Sequence, residues 1–352
     1  MLREGDSNLG SLNPACEGVA MKIDVYSHIL PVKYKEALYQ RAPSPRLKET
    51  TEAIPTLFDL EARFKILDRY GCVQVLTLGL PPVEMVAGPK EASELACIAN
   101  DEVAGLVTKY PDRFVAGVAT LPMNDMDAAL QEADRAIRDL KFKGVQICSS
   151  INGKPLDLPV FFPLYEKMVG YDLPIWLHPG RGARTPDYPG EKVSKYQIWS
   201  IFGWPYETTA AMTRLICSGV LEKYPSLKII THHCGAMVPF FAERISCAYD
   251  LTEERLKEPV KQALTKAPIE YYRMFYNDTA VSGSRSALMC AYDFFGPDHI
   301  LFGTDMPFDN ELGSRLVRQT IESIEQMDVP DSVKKRIFED NARKLLGLSG
   351  KA

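Results

Sequence analysis

The chain has 352 residues, 46% hydrophobic and 25% charged, which excludes a disordered chain and leaves ample apolar material for a large core. Lys+Arg total 41 against 46 Asp+Glu, a net charge of −5 with no basic block, so no nucleic-acid partner is expected. No apolar run approaches the roughly 18 residues of a membrane span, so no membrane role is expected either.

Residues 1–20 show no periodicity and lack the apolar segment of a signal peptide. They read as a flexible tail, and 21–349 as one domain. Lys22–Tyr26 is β-prone, and Leu57–Tyr70 has Leu60, Phe64 and Leu67 at helical spacing. Val73–Leu78 reads as a buried strand, and Glu91–Tyr110 as a helix closed by Pro111. Strand and helix then alternate: Phe114–Ala119 and Met126–Leu140, Gly144–Ile147 and Val160–Val169, Leu173–His178 and Thr208–Leu221. They continue with Leu227–His232 and Val238–Leu251, then Phe275–Asp278 and Ser284–Phe294. Last come the strand His299–Phe302 and the closing helices Glu311–Met327 and Ser332–Leu345. Eight strands, each followed by a helix, predict an α/β fold of the (β/α)8 TIM-barrel type. A doubly wound sheet would want G-x-G-x-x-G after the first strand, where this chain has SHILP. The long stretch Arg181–Tyr206 is an extended βα loop, placed to cover an active site.

The chain has five histidines, and four of them follow strand ends: His28, His178, His232 and His233. Catalytic groups of such barrels sit at the C-terminal ends of the strands. Asp305, after the eighth strand, belongs to the same rim. Imidazoles and a carboxylate converging there suit a first-row divalent ion. His299 begins its strand and falls on the opposite, structural face. Because strand side chains alternate, one of His232 and His233 is expected to face the mouth and the other to pack against helices. The eight cysteines are scattered, with no C-x-x-C pair, so neither a thiolate zinc site nor a disulfide framework is indicated. Buried free thiols and the missing targeting signal fit the cytoplasm.

Four segments, IDVYSHILP (23–31), LPIWLHPG (173–180), HHCGAMVPFFAERI (232–245) and LFGTDMPF (301–308), resemble the amidohydrolase superfamily. The similar branch is the amidohydrolase-related one, with aminocarboxymuconate-semialdehyde decarboxylase and other nonoxidative decarboxylases. The resemblance implies one divalent ion, Zn2+ or Mn2+, with His28, His178 and Asp305 as ligands and His233 as the acid/base residue beside it. It implies a small anionic organic substrate and a homodimer whose interface carries Arg244. Where the family has the first histidine of H-x-H, this chain has Tyr26. Three arrangements are open: Tyr26 ligates as phenolate, it contacts a metal water, or the site binds metal weakly or not at all.

The resulting expectation is a metal-dependent carboxy-lyase acting on an aromatic or unsaturated carboxylic acid, with His233 or Asp305 supplying the proton. A hydrolase of a lactone, amide or C–C bond on the same scaffold is the alternative, and a non-catalytic barrel a further one. Arg63, Arg181 and Arg184 are candidates for holding the substrate carboxylate, and Trp176 for contacting a flat ring. Trp199, Phe202, Trp204 and Tyr206 either stack on substrate or pack the loop down.

Overall fold

Strands of a parallel barrel are covered on both faces, and the short apolar runs of this chain meet that demand. The computed structural model describes residues 21–42, 44–79, 81–257 and 264–348; the proposed tail, 1–20, lies outside them. β1 (Lys22–Ile29) pairs in parallel with β2 (Cys72–Leu78), and β2 with β3 (Phe114–Gly117). Val118 alone separates β3 from β4 (Ala119–Thr120), and β4 pairs with β5 (Val145–Cys148). Beyond β5, β6 (Ser150–Ile151) and β7 (Lys154–Pro155) form a small antiparallel hairpin. β5 continues the sheet to β8 (Ile175–His178), β9 (Ile229–Thr231) and β10 (Tyr276–Asn277), all parallel. Residues 299–306 supply the eighth stave: Ile300 bridges Asn277 and Met306 bridges Ser27, both in parallel. Val25 N–H donates to the Phe302 carbonyl at 2.9 Å and His28 N–H to that of Met306 at 2.8 Å, closing the ring. The fold is a (β/α)8 barrel.

Helices follow the strands nearly as predicted. Leu60–Tyr70 is capped by Asp59, whose carboxylate accepts the Ala62 N–H, and Met126–Arg138 by Asp125 in the same way. Two helices between β1 and Leu60–Tyr70, Val32–Arg41 and Pro45–Glu52, had no sequence counterpart. The expected closing helix Ser332–Leu345 is broken by a π turn at Arg336–Asp340. The helix expected from Val238 starts only at Ala242, because the chain first runs through an irregular turn.

Inside the barrel, Ile23, Val25, Val73, Val75, Ala116, Val118, Trp176, Ile230 and Leu301 form one buried cluster. It is a packed core that floors the rim above it. Trp176 is part of this floor: it is fully buried and its indole N–H donates to the Val25 carbonyl at 2.9 Å. The expectation that Trp176 contacts substrate is therefore corrected, since a side chain spent on core packing does not line the cavity above.

Candidate metal centre

β1 carries one residue more than β2 between Asp24 and Ser27, a bulge that changes the phase of its side chains. Asp24 stays buried below, accepting from Thr304 Oγ1 at 2.6 Å and Thr304 N–H at 3.0 Å. Tyr26 and His28 then both stand at the top of the barrel, fully buried. His178 ends β8, and its Nδ1 lies 2.8 Å from the Pro179 carbonyl. Ring centroids are 5.2 Å apart for His28–His178 and for His178–His232.

The turn after β9 is unusual. His233, Cys234, Gly235 and Ala236 all have positive φ, between 56° and 76°. Such a run is costly for side-chain-bearing residues and is tolerated where the surroundings fix it. Here the Asp278 carboxylate, at the end of β10, does the fixing. It accepts the Cys234 N–H at 2.9 Å, the Ala280 N–H at 3.0 Å and the His233 N–H at 3.3 Å. It also accepts a short hydrogen bond from His232 Nδ1. The run ends strand alternation, so the two adjacent histidines do not point to opposite sides. Their rings lie 4.0 Å apart at 31°, and both face the Asp305 carboxylate. The expectation that one of them packs against helices is corrected on this ground.

Asp305 itself has φ 61° and donates its N–H to the Tyr26 carbonyl at 2.9 Å. Its Oδ1 lies 3.3 Å from both His28 Nε2 and His232 Nε2, and its Oδ2 lies 3.9 Å from His233 Nε2. Burial alone would raise Asp305, but His232 and His28 hold it well below the usual carboxylate range. Burial would lower His232, yet the Asp278 and Asp305 carboxylates outweigh it and hold the imidazolium up to about 10. His178 is pushed well down by burial and by the two neighbouring imidazoles. His233 falls to about 4, through burial and then His232, and is neutral at pH 7. Burial, then the charges around it, drives the Tyr26 phenol well above 10.

The donor set fits a divalent cation. His28, His178 and His232 offer ligand atoms all within 4.8 Å of one another, as do His232, His233 and Asp305. His28 Nε2, His232 Nε2 and Tyr26 Oη are buried without a hydrogen-bond partner. Buried polar atoms are normally satisfied, and a cation among the imidazoles would satisfy the two nitrogens.

An open cavity of about 370 Å³ leads to this cluster, with His233 and Asp305 on its floor and Trp204 and Phe308 among its walls. The Trp204 ring lies 6.0 Å from that of His233, and Phe308 lies 5.4 Å from His28. Trp204 also donates its indole N–H to the Arg181 carbonyl at 2.8 Å, pinning the loop down, so it both packs and lines. Arg63 is fully buried. It donates to the carbonyls of His28 at 2.8 Å and Thr56 at 3.1 Å and to Gln74 Oε1 at 2.8 Å, leaving Nη2 unpaired. Arg181 is half-buried with an unpaired Nε, and Arg184 is exposed. His299 lies on the far face, against the Phe275 carbonyl and the Tyr276 ring. Sequence reasoning passed over Asp278 and Phe308. Asp278 stood at the end of a predicted strand, the same signal that picked out the histidines.

Fold and cluster together define a (β/α)8 barrel enzyme with a divalent-metal centre at its strand C-termini. The chain belongs to the amidohydrolase family, whose model matches residues 69–348. It is 28% identical to 2-amino-3-carboxymuconate-6-semialdehyde decarboxylase of Dictyostelium discoideum, over 94% of this chain and 92% of that protein. It is 30% identical to gamma-resorcylate decarboxylase of Polaromonas sp. strain JS666, over 86% of this chain and 92% of that protein. A dihydroxybenzoic acid decarboxylase from Polaromonas sp. JS666, solved with manganese and the inhibitor 2-nitroresorcinol, superposes with a TM-score of 0.77 at 28% identity, covering 95% and 98% of the two chains.

Proposed function

We propose that this protein decarboxylates a hydroxylated aromatic acid without redox chemistry. The observation that carries the proposal is the cavity in which one neutral imidazole, His233, and one carboxylate, Asp305, meet between two aromatic walls. Related chains named as decarboxylases of such acids support it. His28, His178 and Asp305 would hold one divalent ion, Mn2+ or Zn2+. When bound, that ion supplies positive charge that orients the substrate's carboxylate and phenolic oxygens and stabilises charge on them.

The chain's own residues do the rest. Trp204 and Phe308 sandwich the flat ring and exclude water from its faces. His233 Nε2 accepts the phenolic proton and returns it to the ring carbon bearing the carboxylate. The bond to the carboxylate then breaks, its electron pair restores the aromatic ring, and CO2 leaves. The phenolate that remains takes a proton from water. Asp305 stays ionised throughout and holds its orientation through the Tyr26 carbonyl. Arg181, beside Trp204 and with an unpaired Nε, is the arginine best placed to meet a second anionic group; Arg184 is further into solvent, and Arg63 serves to fix the backbone at His28.

A homodimer fits the surface. Among the described residues the helix Ala242–Glu254, which carries Arg244, has no buried residue, and Phe202, Tyr206 and Phe240 are exposed. The seven described cysteines are all free thiols, in keeping with a cytoplasmic setting; no described helix is long and apolar enough to cross a membrane.

The test is incubation of Mn2+-loaded protein with 2,6-dihydroxybenzoate and related hydroxybenzoates in D2O. Release of CO2 with one deuterium at the vacated ring carbon is expected, and His233→Asn lowers kcat by ~10²–10⁴-fold. Solvent oxygen in the product, or no CO2 from any hydroxybenzoate, would refute the proposal.

A further inference from the structure

We infer that His232 is itself a ligand of the divalent ion, and that Tyr26 supports its ring instead of coordinating. The inference rests on the reading of this cluster as a metal centre and adds a ligand to it. His232 is set up as metal-binding histidines are. Its Nδ1 is committed to the Asp278 carboxylate, which leaves Nε2 as the nitrogen turned to the centre, where an ion would take the place of its proton. That carboxylate is immobilised by three backbone N–H groups, so the ring it holds has one orientation.

That nitrogen is aimed at the centre. His232 Nε2 and His28 Nε2 approach the same Asp305 oxygen at 3.3 Å, and neither forms a hydrogen bond. Three imidazoles, His28, His178 and His232, are fully enclosed and mutually within ligand-sharing distance. His233, in contrast, faces the open cavity and lies 3.9 Å from the other Asp305 oxygen. The two adjacent histidines thus divide: His232 belongs to the buried ligand set, His233 to the substrate side.

Tyr26 completes the argument. Its ring lies flat on that of His232, with centroids 3.9 Å apart and planes at 12°. A tyrosine stacked in this way presents its face, not its oxygen, to the neighbouring ligand. From β1 it steadies the imidazole from β9 through this stacking. Loss of a nitrogen from the first strand is thereby matched by gain of one from the sixth stave, leaving three imidazoles and one carboxylate around the ion.

Mn2+ serves as the probe. On the metal-loaded wild-type protein, pulsed electron-spin-echo modulation counts directly bound imidazole nitrogens without any substitution. Three are expected; two would overturn the inference. Titration of Mn2+ by calorimetry is then compared among variants whose melting curves show them folded. Tyr26→Phe is expected to keep the wild-type Kd within about threefold. His232→Gln weakens it by at least ~100-fold, and Asp278→Asn, which misorients the ring, by ~10–100-fold. Equal affinity in wild type and His232→Gln, or a large loss in Tyr26→Phe, would overturn it. The underlying reading fails in a different way: wild type binds no ion, or His178→Ala has no effect. An ion lost in His178→Ala but retained in His232→Gln sinks only the role of His232.

Discussion

Gly235 lies in the positive-φ turn that carries His233, and its replacement by alanine tests whether that turn is as tightly specified as its geometry implies. At φ +76° a Cβ would meet Phe295 Cε2 at 2.4 Å, Phe295 Cζ at 2.6 Å and Asn277 Oδ1 at 3.0 Å. Gly71, at φ +62° after the helix Leu60–Tyr70, is an internal control, because a Cβ there meets nothing within 4 Å. Gly71→Ala therefore costs the left-handed backbone alone, ~1–2 kcal/mol. Gly235→Ala costs that plus overpacking of ~1–3 kcal/mol, or ~2–5 kcal/mol together. At an unfolding entropy of roughly 2.1 cal/mol/K per residue, 352 residues lose about 0.7 kcal/mol of stability per degree near Tm. Scanning calorimetry should then show Tm lowered by ~1–3 °C for Gly71→Ala and by ~3–7 °C for Gly235→Ala. Phe295→Leu in the Gly235→Ala background relieves the contact, so the double variant is more stable than additivity predicts, by ~1 kcal/mol. Equal Tm shifts for the two glycine variants, or strict additivity with Phe295→Leu, would refute the steric account of this turn.

Glu84 gives a pH prediction. Burial holds its carboxyl up to about 7 from an ordinary 4.5. A folded-state value above the unfolded one means that the ionised carboxylate destabilises the fold at high pH. That cost, ~3 kcal/mol above pH 7, shrinks as pH falls through 7 and is gone below about 4.5. Glu84→Gln should accordingly raise Tm by ~4 °C at pH 8 and by almost nothing near pH 4.5; an equal gain at both pH values would show that ionisation is not the cause. Trp204→Ala removes one wall of the cavity and should raise KM by about tenfold or more with a smaller change in kcat, while Trp204→Phe keeps most of the affinity. A fall in kcat at unchanged KM would place Trp204 in the chemistry instead of in binding.

Much of the centre could be read before any coordinates. Strand periodicity put His28, His178, His232, His233 and Asp305 on one rim, and the eight strand–helix units specified the barrel. The division of labour between His232 and His233 was not legible. It depends on four consecutive positive-φ residues held by Asp278, an aspartate 46 residues distant from His232, and side-chain alternation gives the wrong answer there. The burial of Arg63 and Trp176 was not legible either: each has a polar group that sequence reasoning sends toward solvent or substrate. The fold instead supplies buried carbonyls, His28 and Thr56 for the arginine and Val25 for the indole. The sequence by itself determined which staves exist and which residues end them, because those depend on a residue's near neighbours. Only the tertiary structure decided which nitrogens are left without partners at the centre, because every partner that consumes or spares them comes from a different strand.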